Sequence, residues 1–299
     1  QGFEQLTDEA VIATAETAAR LAAQNVAADP APAGTYTVVI SSEAGGTLIH
    51  ESVGHGLEAD LNLKGMSVYS GKIGQQVASP LITVIDDGTD PDRRGTAAMD
   101  DEGAQTHRTV LIERGILKTY LSDRKHAAKL GIPESGNGRR ESFRHLPICR
   151  MTNTMIAPGE SDPAEIIASV KDGLLVKGMG GGQVDVISGN FAFEITECYR
   201  IRDGKPAEPL RGATLVGQPE RVGHGDGIQK SRRGRVEQPD VVERDAMREF
   251  VVAGQMEHRG RRTPAQRLAE KPIWLALAVD AEELAETQPE RGGDADEHE

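Results

Sequence analysis

Apolar and polar positions divide the first 217 residues into many short strand segments and few helical ones. Thr7, Asp8 and Glu9 predict a helix start, because threonine caps a helix well and acidic side chains suit its first turn. An alanine-rich helix is predicted to follow over residues 10–25. A run of β-branched residues predicts a strand over residues 35–40, and another strand is predicted over residues 81–85.

The remaining apolar runs predict two antiparallel strand pairs and one helix. The four strands are placed at residues 109–113, 116–121, 183–187 and 190–201. Arg114-Gly115 and Ser188-Gly189 supply the turns between them. A helix is predicted to start at Asp162-Pro163 and to close at Gly173. Many strands joined by short turns predict an α+β fold with a largely antiparallel sheet and a few helices.

Composition narrows the class of partner and compartment. The chain has 299 residues, a formal net charge of −13 and two cysteines. The negative charge argues against nucleic acid or an anionic membrane surface as the main partner. Two cysteines give no disulfide framework and fit a reducing, cytoplasmic environment. No apolar run approaches the roughly 20 residues that a membrane-spanning helix needs, and we expect no membrane partner.

The segment His50-Glu51-Ser52-Val53-Gly54-His55 holds the most informative chemistry. Imidazole nitrogen suits zinc, and a glutamate beside the metal can take a proton from a bound water. The histidines stand at i and i+5, which places them about 140° apart on an ideal helix. We expect both to bind one metal only if the helix is distorted by a π-bulge or a break at Gly54. Without that distortion they are two surface histidines on a helix.

The residues around this segment resemble the TldD/PmbA metallopeptidase family, and more closely its TldD-like side. The resemblance covers roughly residues 26 to 217, and its motifs occur in the family's order. Those motifs begin at Leu48, Lys64, Val77, Asp86, Asp100, Gly136, Arg150, Gly180 and Gly212. It implies a cytosolic zinc peptidase acting on short or unfolded peptides, with His50 and His55 as metal ligands and Glu51 as the general base. It also implies an oligomer, either with itself or with a PmbA-like subunit.

The chain departs from the family pattern after Gly217. The family's third zinc ligand is a cysteine in a later Gly-rich stretch, which this chain does not contain. Cys149 and Cys198 stand where the family places no ligand. We expect a fragment or truncated product, and a frame slip or unrelated graft would explain the change of sequence. The expected division is an N-terminal helix and linker at 1–34, a metallopeptidase core at 35–217 and a poorly ordered tail at 218–299.

Polar and glycine-rich motifs near the histidines carry further interpretations. Glu58 and Asp60 are either hydrogen-bond partners of a metal ligand or solvated acids at a helix end. Arg139 and Arg140 are candidates for binding a substrate carboxylate, the alternative being a surface turn with paired charges. The glycines around Gly181 and Gly182 are expected to let a backbone pass near the active site, or to accept an extended peptide along a strand edge.

Five of the other histidines are expected to be surface or hydrogen-bonded residues and not metal ligands. They are His107, His126, His145, His224 and His258. Of these, His258 is the main candidate for a chance third ligand. The sequence therefore predicts a zinc-dependent peptidase with two strong ligands, weak metal binding, and low or no activity for this chain alone because the third ligand is missing. The main alternative is an inactive scaffold or regulatory subunit of a TldD/PmbA-type complex. A nucleic-acid module has little support beyond an Arg-rich passage at residues 221–262.

Overall fold

The computed structural model describes residues 6–91, 93–217, 249–254 and 275–277. The α-helices are α1 Asp8–Ala27, α2 Ser42–Ile49, α3 Ala59–Leu63, α4 Arg124–Leu130 and α5 Pro163–Ala168. The first eight strands are β1 Asp29–Pro30, β2 Gly34–Ile40, β3 Val84–Asp87, β4 Arg108–Glu113, β5 Ile116–Leu117, β6 Gly138–Arg139, β7 Ile148–Cys149 and β8 Thr154–Ile156. The others are β9 Asp172–Val184, β10 Phe191–Arg202, β11 Lys205–Arg211, β12 Ala213–Gly217, β13 Glu249–Gly254 and β14 Leu275–Leu277.

Helix α1 begins where the sequence predicts. Thr7 caps it, because its side-chain oxygen accepts a hydrogen bond from the Ala10 N–H at 3.2 Å. None of its residues is buried, so the helix lies on the surface. Arg20 holds it to Glu197 of β10 across 3.3 Å. Among the helices in the described part of the chain, none combines the length and hydropathy of a membrane span.

The larger sheet contains eight strands and is mostly antiparallel. Strand β9 pairs with β10 along most of its length and with β2 near its start. Because β10 also pairs with β12, β12 with β13 and β13 with β2, this set of paired strands closes on itself. Phe193, Ile40 and Leu174 fill the core beneath it, together with Leu48 of α2. The α+β fold with a largely antiparallel sheet is confirmed.

A second, smaller sheet packs against a separate cluster of buried residues. Its strand order is β5-β4-β3-β8, and β6 and β7 form a separate pair. Leu57, which follows the histidine segment, is fully buried in this core with Leu111 and Leu121. The histidine segment therefore joins α2, which packs on the larger sheet, to residues that pack on the smaller one.

Buried Asp86 ties the strands of the smaller sheet to the loop before β8. One carboxylate oxygen accepts hydrogen bonds from the Thr152 N–H at 3.0 Å and the Thr154 hydroxyl at 2.7 Å. The other accepts from the Thr152 hydroxyl at 2.6 Å and the Asn137 side-chain amide at 2.8 Å. Four short hydrogen bonds compensate for burial of the carboxylate.

The structure corrects the predicted end of helix α5. The helix begins at Pro163 and is capped by Asp162, as expected, but it ends at Ala168. Gly173, predicted to close it, lies in β9 and pairs with Ile201 of β10. A β-carbon at Gly173 would crowd the Thr37 carbonyl oxygen at 2.5 Å, so close approach of β2 explains the glycine.

Several strand limits also differ from those predicted. Strand β9 runs over residues 172–184, whereas the sequence predicted a strand over 183–187. Its pairing with β10 outweighs the low strand preference of its glycines. Strand β3 begins at Val84, and β5 ends at Leu117 instead of residue 121.

The predicted domain boundaries remain predictions. Asp29–Pro30, within the predicted linker, pairs in parallel with Leu210 and Arg211 of β11. In the predicted tail, residues 249–254 and 275–277 form strands that pair with β12 and β2. The other residues of 218–299, which include His224 and His258, lie outside the described part of the chain.

Candidate metal centre

The two histidines lie on a π-helical turn. Helix α2 runs directly into a π-helix over His50–Gly54, followed by a 3₁₀ turn over His55–Leu57. The His55 N–H donates to the His50 carbonyl oxygen, which is the i to i+5 hydrogen bond of a π turn. The two rings lie edge to face with centroids 4.9 Å apart. The predicted distortion of the helix is therefore confirmed, and it places both imidazoles on one side.

Glu51 lies in the same group as the two imidazoles. One potential ligand atom from each of His50, Glu51 and His55 lies within 4.8 Å of the others. His55 Nε2 is 4.0 Å from a Glu51 carboxylate oxygen, whereas His55 Nδ1 faces the other way, toward Glu58. The arrangement provides two nitrogen ligands and a carboxylate around a common point.

The two imidazoles differ in their affinity for protons. Partial burial, and next the neighbouring His55, lower the pKa of His50 below its ordinary value of 6.5. The hydrogen bond with Glu58 raises the pKa of His55 above 6.5. The His55 contribution to stability is thus present below pH 6.5 and is lost as pH rises through its raised pKa. The pH dependence of stability has the opposite sign for His50, because the folded chain disfavours its charged form. Stability therefore falls as pH drops below the ordinary value of 6.5.

Gly54 is required by packing at the end of the π turn. It is buried, and a β-carbon there would collide with Met151 Sδ. We expect Gly54→Ala to lower the free energy of unfolding by about 1–3 kcal/mol, because Met151 must move within a packed core. Gly46→Ala is the matched control, since a β-carbon at Gly46 in α2 meets no atom within 4 Å.

The control substitution is expected to raise the free energy of unfolding by roughly 0.5–1 kcal/mol, because alanine favours the helix over glycine. Urea denaturation of both variants measures the difference. Equal stability of Gly54→Ala and Gly46→Ala would contradict the close packing of Gly54 against Met151.

A cavity of about 330 Å³ opens beside Glu51 and His55. Its lining residues are Glu51, His55, Glu58, Asp60, Leu61, Arg150, Val184 and Val186. Glu58 is 1% exposed, so it is not a solvated acid, and its carboxylate contacts His55. Asp60 is partly buried, and its Oδ1 makes no hydrogen bond. Of Glu58 and Asp60, the two candidate partners of a metal-binding histidine, Glu58 makes the hydrogen bond to His55.

Arg139 and Arg140 do not line this cavity. Arg139 lies in β6, opposite Ile148 of β7. The Arg140 guanidinium donates to the His145 carbonyl oxygen at 3.2 Å. Arg150 lines the cavity instead and donates to Glu58 at 2.9 Å. Arg150 begins one of the motifs that carry the family resemblance, but only the folded chain brings it to Glu58.

The glycines of β9 lead along one strand to the cavity. Gly181 and Gly182 are exposed, and Val184 at the end of the strand lines the cavity. A β-carbon at Gly182 would collide with the Phe193 ring, so cross-strand packing requires a glycine there. Beyond Val176, the β9 edge opposite β10 pairs with no strand in the described residues.

Neither cysteine joins the histidine group. Cys149 is 0% exposed and Cys198 is 1% exposed. Cys149 lies with Asp123 and His126 and accepts a hydrogen bond from the Asp123 N–H at 3.4 Å. Burial raises the pKa of each thiol to about 12.

We expect both thiols to be unreactive in the folded chain, because thiolate is the reacting form and both sulfurs are buried. A chromogenic disulfide reagent should label neither cysteine under native conditions and both in urea. Rapid labelling of one thiol in the folded chain would contradict this placement.

The other described histidines have hydrogen-bond partners elsewhere. His126 Nδ1 lies 2.8 Å from Asp123, His145 Nδ1 lies 2.9 Å from the Ser142 hydroxyl, and His107 Nδ1 lies 3.3 Å from the Gln105 carbonyl oxygen. His126 belongs to the buried group with Asp123 and Cys149, while His107 and His145 are exposed. All three are hydrogen-bonded, and the expectation that none of them binds a metal stays a prediction.

The donor set fits zinc in part. Zinc takes imidazole nitrogen and carboxylate oxygen, and a catalytic site normally has three protein ligands and one open position. The π turn provides His50 and His55, with Glu51 beside them. Within the described residues, this group contains no cysteine, and both cysteines of the chain lie elsewhere.

Comparison with known proteins places this site in a family. Residues 33–228 match the family model described as PmbA/TldA metallopeptidase C-terminal domain. A metalloprotease TldD homolog from Haemophilus influenzae is 50% identical over 203 residues, which cover 68% of this chain and 42% of the relative. A zinc metalloprotease TldD homolog from Saccharolobus solfataricus is 34% identical over 186 residues, covering 62% of this chain and 41% of the relative.

Solved structures show the same fold. TldE from Thermococcus kodakarensis superimposes with a TM-score of 0.58 at 25% identity, over 68% of this chain and 46% of TldE. The chain thus spans less than half the length of these relatives. The family model covers well over half of the chain, and it includes the π turn, the cavity and the strands that surround them. The chain belongs to the PmbA/TldD metallopeptidase family.

Proposed function

We propose that this chain carries the zinc-binding and general-base residues of a cytoplasmic peptidase that hydrolyses short or unfolded peptides. The supporting observation is the π turn, whose hydrogen bond from His55 to His50 directs both imidazoles toward one point beside Glu51. The relatives named metalloprotease and zinc metalloprotease support the same assignment.

In the proposed reaction His50 and His55 hold zinc, which when bound lowers the pKa of a water and polarises the peptide carbonyl. The Glu51 carboxylate accepts the proton from the attacking water. It then returns that proton to the leaving amine nitrogen, so one residue serves as base and then as acid. The 4.0 Å separation of a Glu51 carboxylate oxygen from His55 Nε2 places the proposed base beside a nitrogen proposed to bind the metal.

We propose that substrate binds along β9. Beyond Val176 this strand edge pairs with no strand among the described residues, and Gly181 and Gly182 on it are exposed. A peptide added there would form main-chain hydrogen bonds and pass Val184 into the cavity. Main-chain recognition tolerates many sequences, which suits short or unfolded peptides. Arg139 and Arg140 remain candidates for binding a carboxylate outside the cavity.

A second candidate function is an inactive scaffold or regulatory subunit. The observation that favours it is the ligand count: two histidines lie together, and both cysteines are buried elsewhere in the fold. Two ligands predict weaker zinc binding than three. The similarity to TldE supports association with a PmbA-like subunit under either function, and a homo-oligomer is the alternative assembly.

Zinc stoichiometry and affinity of the purified chain test the proposed function. We expect one zinc per chain with an affinity in the micromolar range or weaker, lost in His50→Ala. His107→Ala is the matched control, because His107 is exposed and lies outside the histidine group, and it should bind zinc as the unaltered chain does. No zinc binding, or binding that His50→Ala leaves unchanged, would overturn the peptidase assignment and favour the scaffold.

A further inference from the structure

A buried carboxylate and an arginine lie on the Nδ1 side of His55, whereas Glu51 lies nearer its Nε2. Glu58 follows the 3₁₀ turn and is 1% exposed. One of its oxygens lies 3.1 Å from His55 Nδ1, and the other lies 2.9 Å from Arg150 Nη1. The three side chains therefore form a continuous hydrogen-bonded row along the cavity wall, with buried Glu58 between His55 and the partly exposed Arg150.

The backbone around Glu58 is held firmly. The Ala59 N–H donates to the Leu121 carbonyl oxygen at 2.8 Å, and the Leu121 N–H donates to the Leu57 carbonyl oxygen at 2.9 Å. Leu57 and Leu121 are both fully buried. Because the residues on both sides of Glu58 are hydrogen-bonded to Leu121, the Glu58 backbone is fixed in position relative to the segment that follows β5. The Glu58 carboxylate is therefore held close to His55.

We infer that Glu58 and Arg150 are positioning residues that hold His55 as the Nδ1–H tautomer, so that Nε2 presents its lone pair toward Glu51. This inference rests on the proposed zinc-binding function. An ionised carboxylate only accepts hydrogen bonds, so the neutral imidazole must place its single proton on Nδ1 to pair with Glu58. Nε2, 4.0 Å from Glu51, is then free to bind a metal.

Arg150 has a separate part in this arrangement. A carboxylate as buried as Glu58 needs a charged partner, and Arg150 supplies it. The same Nη1 also donates to the Cys149 carbonyl oxygen at 2.9 Å, which anchors the guanidinium to β7. Arg150 thus fixes which way the Glu58 carboxylate points, and Glu58 in turn fixes the His55 ring.

The first test is the tautomer of His55 in the metal-free chain, read from ¹⁵N chemical shifts and ring couplings at a pH where the ring is neutral. The unaltered chain should show His55 as Nδ1–H. Glu58→Ala should change it to a mixture of tautomers, and Glu58→Gln should retain most Nδ1–H because its amide oxygen still accepts. A merely structural role for Glu58 would leave the tautomer unchanged.

The second test is zinc affinity in the same variants, with melting followed by circular dichroism to confirm folding. We expect Glu58→Ala to weaken zinc binding about 10–100-fold, as loss of a ligand's hydrogen-bond partner typically does. Arg150→Met should weaken it less, and Glu58→Gln should restore part of the affinity. Glu43→Ala is the control, since Glu43 is an exposed acid in the first turn of α2.

The two tests separate this inference from the proposed function. If the unaltered chain shows the Nδ1–H tautomer but binds no zinc, the peptidase assignment fails while the positioning of His55 stands. If zinc binds through His50 but neither the tautomer nor the affinity changes in Glu58→Ala, the positioning role is overturned. Should Glu58→Ala fail to fold, Arg150→Met tests the same role through zinc affinity, and an affinity equal to that of the unaltered chain would overturn it.

Discussion

Glu51→Gln is expected to lower the rate of peptide hydrolysis by about 10²–10⁴-fold while zinc affinity stays within a few-fold of the unaltered chain. The amide has nearly the shape of the carboxylate but cannot take a proton from water. The two imidazoles proposed to bind the metal are untouched by this change. The expected loss is therefore in kcat, with little change in KM.

The measurement is hydrolysis of an unstructured peptide by the zinc-loaded chain, alone and with a PmbA-like subunit. Glu43→Gln provides a matched control, because it makes the same chemical change at an exposed position of α2. Hydrolysis by Glu51→Gln at the rate of the Glu43→Gln control would refute the role of Glu51 as the base.

Asp86→Ala is expected to lower the free energy of unfolding by about 3–5 kcal/mol, the largest stability effect we predict. The carboxylate is 1% exposed and accepts hydrogen bonds from four donor groups of Asn137, Thr152 and Thr154. Its removal leaves buried donors without an acceptor and separates β3 from the segment before β8. Each unsatisfied donor carries its own desolvation cost.

Asp87→Ala is the neighbouring control for this prediction. Asp87 accepts hydrogen bonds from the Thr89 N–H at 2.9 Å and the Thr89 hydroxyl at 2.6 Å, both in an exposed turn. Its loss should cost no more than about 1 kcal/mol, because water can replace exposed hydrogen bonds. Urea denaturation midpoints of the two variants give the comparison. Similar midpoints would contradict the special role assigned to buried Asp86.

Local sequence patterns predicted the parts of the fold that depend on neighbouring residues. The cap at Thr7, the strand ending at Ile40 and the turn at Ser188-Gly189 all follow from short-range preferences. The distortion of the histidine helix could also be predicted, because residues at i and i+5 cannot share a face of an ideal α-helix.

Features that depend on long-range pairing were not predictable in the same way. The glycines of β9 have low strand preference, yet pairing with β10 extends the strand over residues 172–184. The contact of Glu58 with Arg150 joins residues 92 positions apart, and no local pattern indicates it. The placement of Arg150, and not Arg139 or Arg140, beside the cavity follows from the same long-range packing.

We propose that His50 and His55 together bind one zinc ion on the π turn. X-ray absorption at the zinc edge of the loaded chain can test this, because zinc–nitrogen and zinc–sulfur bonds differ in length. We expect two imidazole nitrogens at about 2.0–2.1 Å from zinc, with only light atoms as the remaining ligands. Sulfur at about 2.3 Å, or fewer than two imidazoles, would contradict it, because the chain's two cysteines lie buried outside the histidine group.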